Sequence, residues 1–517
     1  MNRLTRRDFL KAAGISAAVI AAAPALLRGA SAPRAAGKCN ILVIMSDEHN
    51  ASVMGCAGNK IIRTPNLDSL AAAGVVFDAC YTNSPLCVPC RLSFTAGKYA
   101  SRVSAWNNDC WLPSGDIPSI ARIMNDAGYD SALCGKMHYD ATRRYGFRDV
   151  GGNMNNAHKT GTGGRRDPDD LADRPGLSGR FNDFRPAETG GVMPHDLAVT
   201  KGTVEFLRSW KPTDKPFFLL AGYLAPHFPL IVPQKYWDAY KDKVPMPAIP
   251  PGHLEAQARN YKHLRVGFHN EHVPAEIVKK GRELYYGLTQ WLDEQIGQVL
   301  TALARSQAGA NTVVIYTSDH GENMGEHGLW WKNCVYDSAA RVPLIVSSPS
   351  RFGAAQRRSG ACSLVDVVKT IADLGGAKVP ADWNGDSMAG WLADAGAKWK
   401  AQAVSEYYAH NIASGYAMIR QGKYKYVYHT PADAKHPSER ELYDLSADSG
   451  ELTNLAARPD QAERIKAMHA ALAAEIGEDP DQTELRCRGE TAKGYNRAKA
   501  GGGKKKKATA ESQRTQR

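Results

Sequence analysis

The chain has 517 residues, of which 43% are hydrophobic and 23% charged, a composition that is ordinary for a soluble globular protein. Its formal net charge of +12 comes from the two ends, because residues 1–36 carry +5 and residues 486–517 carry +9, which leaves −2 for the body. We therefore expect no nucleic-acid partner, and the length suggests one large domain and one smaller domain.

The N-terminus has the pattern of a twin-arginine export signal. A pair of arginines lies in residues 5–11, and an alanine-rich apolar run follows over residues 12–27, interrupted by a proline. The run is too short and too broken to predict a membrane span. We expect residues 1–36 to be a signal peptide, with the twin-arginine translocon as a partner and a periplasmic or secreted location. The alternative is a basic N-terminus without structure.

The first predicted strand of the body ends in two acidic residues. Residues 40–46 form a continuous apolar run, which is typical of a strand covered on both faces, as in a parallel sheet. Asp47 and Glu48 follow it directly. Open α/β sheets hold their sites at this carboxyl edge.

Helices and strands are predicted to alternate through the rest of the large domain. Amphipathic patterns predict helices near residues 65–74, 117–128, 197–210, 284–303 and 364–374, and apolar runs predict strands at residues 131–134, 216–222, 312–318 and 342–346. This alternation predicts an α/β fold with a large, mostly parallel sheet sandwiched by helices. Residues 140–195 lack periodicity and predict a long excursion that shapes a substrate pocket.

Polar side chains follow several of these strands. They are Lys136 and His138, then His227, then Asp319 and His320, with Lys332 a little further on. Each alone has an ordinary structural explanation, such as a solvated ion pair or a satisfied histidine. Because the carboxyl ends of parallel strands meet at one edge, we expect the whole set to converge on one crevice.

The C-terminal part has a different texture. Residues 400–484 predict a smaller α+β subdomain, in which an antiparallel sheet is covered by a helix near residues 461–476. Residues 485–517 include a run of four lysines and almost no apolar residues, so we expect a basic disordered tail. We assign residues 37–399 to the catalytic domain.

One short stretch has three interpretations. Cys87-Val88-Pro89-Cys90-Arg91 contains two cysteines that could simply be buried in a turn. It is also a CxxC pair of the kind found in thiol oxidoreductases. The third interpretation is a Cys-x-Pro-x-Arg nucleophile site, in which Cys87 is oxidised to an aldehyde. The stretch alone does not choose among them.

Together with the strand-end residues, Cys87 to Arg91 resembles the signature of the type I sulfatases, in which the cysteine becomes formylglycine (3-oxoalanine). The resemblance continues in family order through residues 40–47, 64–74, 135–138, 226–229, 318–328, 341–345, 423–426 and 442–445. It implies an alkaline phosphatase-like fold. It is nearest to the choline-sulfatase and phosphonate monoester hydrolase branch. Cys90 stands where Ser or Ala is usual, and Glu48 replaces the second Asp of a common pair.

The resemblance implies a catalytic set. Hydrated formylglycine at position 87 would attack sulfur, Arg91 would orient the hydrate, and His138 would remove a proton so that sulfate is eliminated. Lys136 and Lys332 would bind the sulfate oxygens, and His227 or Lys332 would protonate the leaving oxygen. A formylglycine-generating enzyme would then be a maturation partner.

The resemblance also implies a divalent cation. Asp47, Asp319, His320 and an oxygen of the modified Cys87 would hold it, and only Asp47 of the first acidic pair is assigned to it. Hard cations prefer oxygen ligands, so we expect Ca²⁺, with Mn²⁺ as the alternative because a histidine is present.

We therefore predict an exported sulfatase that hydrolyses a sulfate ester of a small alcohol or a sugar. A phosphonate monoester or phosphodiester hydrolase of the same fold is the first alternative, and a CxxC thiol oxidoreductase is a distant one. Aromatic side chains could hold a quaternary ammonium group or could simply fill the core; the candidates are Trp106, Trp330, Trp331, Tyr407 and His410.

Overall fold

The computed structural model describes residues 38–139, 142–152 and 164–493. The predicted signal peptide lies outside these residues, as does the lysine run of the predicted tail. Within the described ranges, no helix is both long enough and apolar enough to cross a membrane.

Helices and strands alternate along most of the chain. The helices, α1 to α14 in chain order, are Pro65–Ala72, Cys87–Ala96, Ile120–Asp126, Met193–Ser209, Gln234–Tyr240, His253–Ala256, Arg259–Phe268, Ala275–Arg305, Asp337–Ala340, Pro349–Phe352, Leu364–Leu374, Ala389–Ala393, Ala462–Ile476 and Pro480–Ala492. The strands, β1 to β19, are Asn40–Asp47, Val75–Phe77, Cys80–Tyr81, Asp130–Gly135, Arg148–Asp149, Arg185–Pro186, Phe217–Pro226, Ile231–Val232, Thr312–Ser318, Asn323–Met324, Trp330–Trp331, Arg341–Val342, Leu344–Ser347, Gln356–Arg358, Cys362–Ser363, Gln402–Tyr407, Tyr416–Gln421, Tyr424–His429 and Glu439–Asp444.

The main sheet has eight strands in the order β14-β2-β13-β9-β1-β7-β4-β5. The central strands β9, β1, β7 and β4 run parallel to one another, whereas β13 runs antiparallel to both of its neighbours. The predicted large, mostly parallel sheet is therefore confirmed. The carboxyl ends of the four central strands all lie at one edge.

Helices cover both faces of this sheet, as the uninterrupted apolar strands predict. Along β1, Ile41 and Val43 pack into one hydrophobic layer with α2, α3 and α11. Leu42 and Ile44 pack into the opposite layer with α1, α4 and the long helix α8. Every residue of β1 is buried. Because strand side chains alternate between faces, this burial on both sides requires the continuous apolar run.

The C-terminal sheet is antiparallel in the order β16-β17-β18-β19. Helix α13 covers it and buries Met468, Leu472 and Ile476 against Ile419 and Leu442. The predicted subdomain is therefore present as a sheet with a covering helix. The exact division of the chain at residue 400 stays a prediction.

The start of the predicted tail needs a correction. Residues 485–492 are the second half of α14, in which Cys487 is buried and Glu484 pairs with Arg165 at 2.6 Å. The buried positions Pro480, Thr483, Glu484 and Cys487 recur at helical spacing, but they are mostly polar, so the sequence shows no apolar stripe. Residues 494–517 lie outside the described part of the chain.

Candidate active site

The predicted site residues meet at the carboxyl edge of the central strands. Asp47 ends β1, Asp319 directly follows β9, His227 follows β7 and Lys136 follows β4. All four strands are neighbours in the sheet. The convergence expected from the sequence is therefore observed in the geometry.

Cys87 is the first residue of α2 and points at this edge. Its Sγ lies 3.2 Å from Nε2 of His320 and 3.7 Å from Oδ1 of Asp47. All ten residues of α2 are buried. Because Cys87 begins the helix, the N–H groups of the first turn face any negative charge that develops at its side chain.

Four side chains at this point have the geometry of a cation site. Ligand-type atoms of Asp47, Cys87, Asp319 and His320 all lie within 4.8 Å of one another, and all four residues are buried. Two carboxylates and one imidazole suit a hard or borderline divalent cation. The residues present therefore fit the metal that the resemblance implies.

Arg91 braces the two carboxylates. Its Nη2 lies 2.9 Å from Oδ2 of Asp47 and its Nε lies 2.8 Å from Oδ2 of Asp319, while Nη1 donates to the carbonyl of Lys136 at 2.9 Å. Arg91 thus occupies one oxygen of each carboxylate. The other oxygens, both named Oδ1, lie 3.9 Å and 3.6 Å from Nε2 of His320 and remain directed at the Cys87 side.

The surrounding charges shift the pKa values of Asp47 and His320 in opposite directions. Burial would raise the pKa of Asp47, but the nearby cations, Lys136 first, hold it well below its usual range. Burial would lower the pKa of His320, but Asp319 and Cys87 raise it to about 9. Asp47 is therefore an anion, and His320 carries a proton until a cation displaces it.

Glu48 lies apart from the Cys87 side chain. Its Oε1 is 3.1 Å from Nζ of Lys332 and its Oε2 is 3.3 Å from Nε2 of His227. Together with Asp47, Glu48 and His227 form a second group of ligand-type side chains. The geometry favours Glu48 as a partner of Lys332 and His227 rather than of Cys87.

Lys332 and His227 form a direct pair. Nζ of Lys332 lies 2.8 Å from Nε2 of His227, whose Nδ1 faces the carbonyl of Phe228. Burial, reinforced by Lys332, lowers the pKa of His227 well below its usual value. Burial would also lower the pKa of Lys332, but its neighbours Cys87, Glu48 and Asp47 raise it. The shared proton therefore sits on Lys332.

Lys136 and His138 follow β4. Lys136 pairs with Oδ2 of Asp47 and is 2% exposed, so its charge is held inside the site. His138 is also buried, with a left-handed backbone at φ 56°. Non-glycine residues in this conformation are uncommon and cluster at functional sites.

Cys90 points away from the Cys87 side chain. Its thiol donates to the carbonyl of Asp319 at 2.9 Å, and burial raises its pKa well above the ordinary value. All ten cysteines lie in the described ranges, and none is in a disulfide there. A buried thiol with a raised pKa is inert, so the position favours packing over redox chemistry.

Two polar residues near the site were not identified from the sequence. Glu322 is buried, accepts a hydrogen bond from the Trp331 amide at 2.6 Å, and has a pKa raised well above its usual value by burial and by Glu48. Arg180 lies over the Phe228 ring. Glu322 follows Asp319 by three positions, which was an available signal, whereas Arg180 lies in a segment without periodicity.

The aromatic candidates are mostly core. Trp330 and Trp331 pack against Phe181, and the Trp106 indole donates to Glu490 at 2.6 Å. Tyr407 is buried and accepts from Asn333 at 2.9 Å.

Known proteins match most of this chain. The profile of the family described as Sulfatase matches residues 39–377, and that described as N-sulphoglucosamine sulphohydrolase, C-terminal, matches residues 325–478. A choline-sulfatase of Rhizobium meliloti is 32% identical over 82% of this chain and 83% of its own length. An arylsulfatase of Clostridium perfringens is 28% identical over 85% of this chain and 94% of its own.

Solved structures share the fold. The phosphonate monoester hydrolase of Agrobacterium radiobacter aligns with a TM-score of 0.69 at 23% identity, covering 87% of this chain and 97% of its own. A protein solved with its substrate D-glucosamine-2-N,6-O-disulfate aligns with a TM-score of 0.68 at 23% identity, covering 86% of this chain and 100% of its own. These likenesses confirm the predicted α/β architecture.

Proposed function

The chain belongs to the sulfatase family, whose members hydrolyse sulfate esters, and we propose that it cleaves a sulfate monoester of a small alcohol or a sugar with formylglycine, made from Cys87, as the nucleophile. The observation that carries the proposal is the position of Cys87. It starts a buried helix, and its Sγ lies 3.2 Å from His320 and 3.7 Å from Asp47.

A divalent cation would be held by Asp47, Asp319 and His320 together with the modified residue 87. When bound, such a cation offsets the negative charge of the sulfate and polarises its oxygens. Ca²⁺ is our first choice and Mn²⁺ the alternative. Arg91 orders the site by fixing one oxygen of each carboxylate, which leaves the other oxygens directed inward.

The remaining residues would bind the sulfate group and transfer the protons of the reaction. Lys136 and Lys332 are buried cations that would bind sulfate oxygens. Lys332 holds the proton that it shares with His227, so this pair would protonate the leaving oxygen. His138 would remove the proton whose loss lets sulfate leave.

The nearest alternative is a phosphonate monoester or phosphodiester hydrolase. It is supported by the fold of the Agrobacterium radiobacter enzyme. A phosphonate group and a sulfate group are both tetrahedral anions, so Lys136, Lys332 and the divalent cation would suit either one. The thiol oxidoreductase is disfavoured, because Cys90 faces the carbonyl of Asp319 and not Cys87. Export by the twin-arginine route remains part of the proposal, with a formylglycine-generating enzyme acting before export.

The first test is peptide mass spectrometry across Cys87 after co-expression with a formylglycine-generating enzyme. The expected product carries an aldehyde in place of the thiol, and turnover of an aryl sulfate rises with the converted fraction. Turnover by a protein in which Cys87 remains a thiol would refute the mechanism.

The second test separates the two ester classes. Aryl sulfate and aryl phosphonate are compared by kcat/KM on the same converted preparation, and a large excess of phosphonate turnover would overturn the choice of sulfate. Chelation followed by addition of Ca²⁺ or Mn²⁺ then identifies the cation. Its binding is read independently as a rise in melting temperature.

A further inference from the structure

Arg180 lies at the edge of the candidate active site, on the short helical turn Gly179–Asp183. Its neighbour Phe181 packs against Trp330 and Trp331, with ring centroids 5.2 Å and 5.5 Å apart. This packing fixes the turn against β11, the strand that leads directly into Lys332.

Three aromatic rings surround the guanidinium of Arg180. Its Cζ lies 4.5 Å from the ring centroid of Phe228, 4.6 Å from that of Trp331 and 5.5 Å from that of Phe268. Cation–π attraction holds a planar guanidinium by its face and leaves its edge of N–H donors free. The group is therefore positioned before any ligand arrives.

Arg180 has no hydrogen-bond or ion-pair partner for its side chain within residues 38–139, 142–152 and 164–493. It is half-exposed. Glu48, the carboxylate with the largest electrostatic effect on Arg180, is already flanked by Lys332 at 3.1 Å and by His227 at 3.3 Å. The five N–H donors of the guanidinium are therefore available to a ligand that enters the site.

The guanidinium of Arg180 also changes what these three aromatic rings can bind. Rings of this kind can hold a quaternary ammonium group, but here the chain's own guanidinium occupies them. A cationic substrate would meet a like charge. Lys332 Nζ lies 5.6 Å from the same Phe228 centroid, so one small substrate can reach both cations.

We propose that Arg180 binds a second anionic group, a carboxylate or a second sulfate, on the alcohol part of the substrate. The inference rests on the proposed sulfatase function and narrows its substrates to doubly anionic sulfate esters. The guanidinium would donate two parallel hydrogen bonds to a pair of oxygens, a geometry that Lys cannot reproduce.

The test compares phenyl sulfates that differ only in a meta or para substituent. The substituents are a carboxylate, a second sulfate, a neutral carboxamide and a trimethylammonium group. We expect kcat/KM for the better anionic ester to exceed that for the carboxamide by roughly 10- to 100-fold, mainly through KM, with the trimethylammonium ester poorest. The two anionic arms show which anion is preferred.

Variants assign the preference to Arg180. The preference is the ratio of kcat/KM for the anionic ester to kcat/KM for the carboxamide ester. In Arg180→Gln we expect this ratio to fall to about 3 or less, and in Arg180→Lys we expect part of it to remain through charge alone. The matched control is Arg464→Gln, because Arg464 also stacks on a ring, that of Tyr424 at 3.8 Å, but in the C-terminal subdomain. It should leave the preference unchanged. Melting temperatures confirm that each variant is folded.

Equal turnover of the carboxamide and anionic esters would overturn the inference, as would an unchanged preference in folded Arg180→Gln. Both results leave the sulfatase proposal standing, because the phenyl sulfate with the carboxamide substituent is still hydrolysed. Failure of every sulfate ester with aldehyde-bearing protein would instead remove the proposed function, and this inference with it.

Discussion

Two buried ionic clusters in this protein contain similar residue types but have different roles. The Cys87 cluster consists of Asp47, Cys87, Arg91, Asp319 and His320. The Lys425 cluster consists of Asp337, Lys425 and Glu451, and it joins the C-terminal sheet to the large domain. Both place carboxylates beside a fully buried cation. They differ in how completely their polar atoms are matched.

In the Lys425 cluster the ammonium group is fully used. Lys425 Nζ donates to the carbonyl of Val335 at 2.9 Å, to Asp337 at 2.5 Å and to Glu451 at 2.6 Å. An ammonium has three N–H donors, so all are satisfied. The second Glu451 oxygen accepts from the Asp337 amide at 2.6 Å. Such a cluster needs no ligand.

Around the Cys87 cluster the matching is incomplete. Neither oxygen of Glu48 accepts a hydrogen bond of good geometry from a lysine, a histidine or an amide among the described residues, and its remaining neighbour is Glu322, a carboxyl group whose pKa Glu48 helps to raise. Backbone conformation does not separate the two clusters, because Glu48 has a left-handed backbone at φ 66° and Glu451 has one at φ 55°. A buried polar group without a matched partner calls for an explanation, and a ligand-binding role is one. The comparison indicates that the Lys425 cluster stabilises the fold and that the surroundings of the Cys87 cluster bind a substrate.

The largest expected effect comes from removing the nucleophile. Cys87→Ala should lower aryl sulfate turnover by roughly 10⁴-fold or more, because no other side chain offers the aldehyde oxygen. The melting temperature should change little. The control is Cys90→Ala, which removes the neighbouring thiol and should still be converted at Cys87. Loss of the fold in Cys87→Ala would mean that the cluster is structural.

Next in size is the loss of the buried ammonium. Lys425→Met leaves Asp337 and Glu451 buried without a cation and should lower the free energy of unfolding by about 3–5 kcal/mol in denaturant titrations. Lys423→Met is the matched control, since Lys423 is exposed and pairs with Asp444 at the surface. Similar effects of the two substitutions would contradict the structural role of the Lys425 cluster.

Glu48→Gln tests the contrast directly. The substitution keeps the shape of a buried side chain that lies 3.1 Å from Lys332 without good hydrogen-bond geometry, so the free energy of unfolding should change by no more than about 1 kcal/mol. Turnover should fall roughly 10- to 100-fold, because the Lys332–His227 pair loses its anionic neighbour. Glu451→Gln should show the opposite pattern: the free energy of unfolding should fall and kcat should stay unchanged. Thermal unfolding and steady-state kinetics on both variants decide the matter.

The smallest effect is a pH dependence of stability. Burial raises the pKa of Glu451 to about 7, even though Lys425 opposes the shift. The native state then keeps a proton that the unfolded chain releases near pH 4.5, so this group's contribution to the unfolding free energy falls as pH rises from about 4.5 to about 7. Asp337, whose pKa is lowered, loses its contribution only in more acidic solution.

The measurement is the free energy of unfolding from pH 5 to 8 for the native protein and for Glu451→Gln. The difference between the two curves should change over this range, because only the native protein carries the titrating group. A constant difference would show that Glu451 does not titrate there.

The sequence predicted much of the frame and the site. The run at residues 40–46 had to be buried on both faces, so it had to be central, and Asp47 had to lie at the carboxyl edge. The same reasoning placed Asp319 and His227. The resemblance carried by Cys87, Pro89 and Arg91 then indicated the sulfatase family, and the family match confirmed that membership.

The sequence alone therefore determined the central strands, the edge at which the polar residues meet and the class of reaction, because these depend on local patterns and on residue type. Only the tertiary structure decided which atoms face one another. It directed Arg91 at two carboxylates, turned Cys90 away from Cys87, set Glu48 beside Lys332 and carried Arg180 onto the Phe228 ring. These contacts join residues distant in the chain, and no local pattern encodes the side-chain directions that packing fixes.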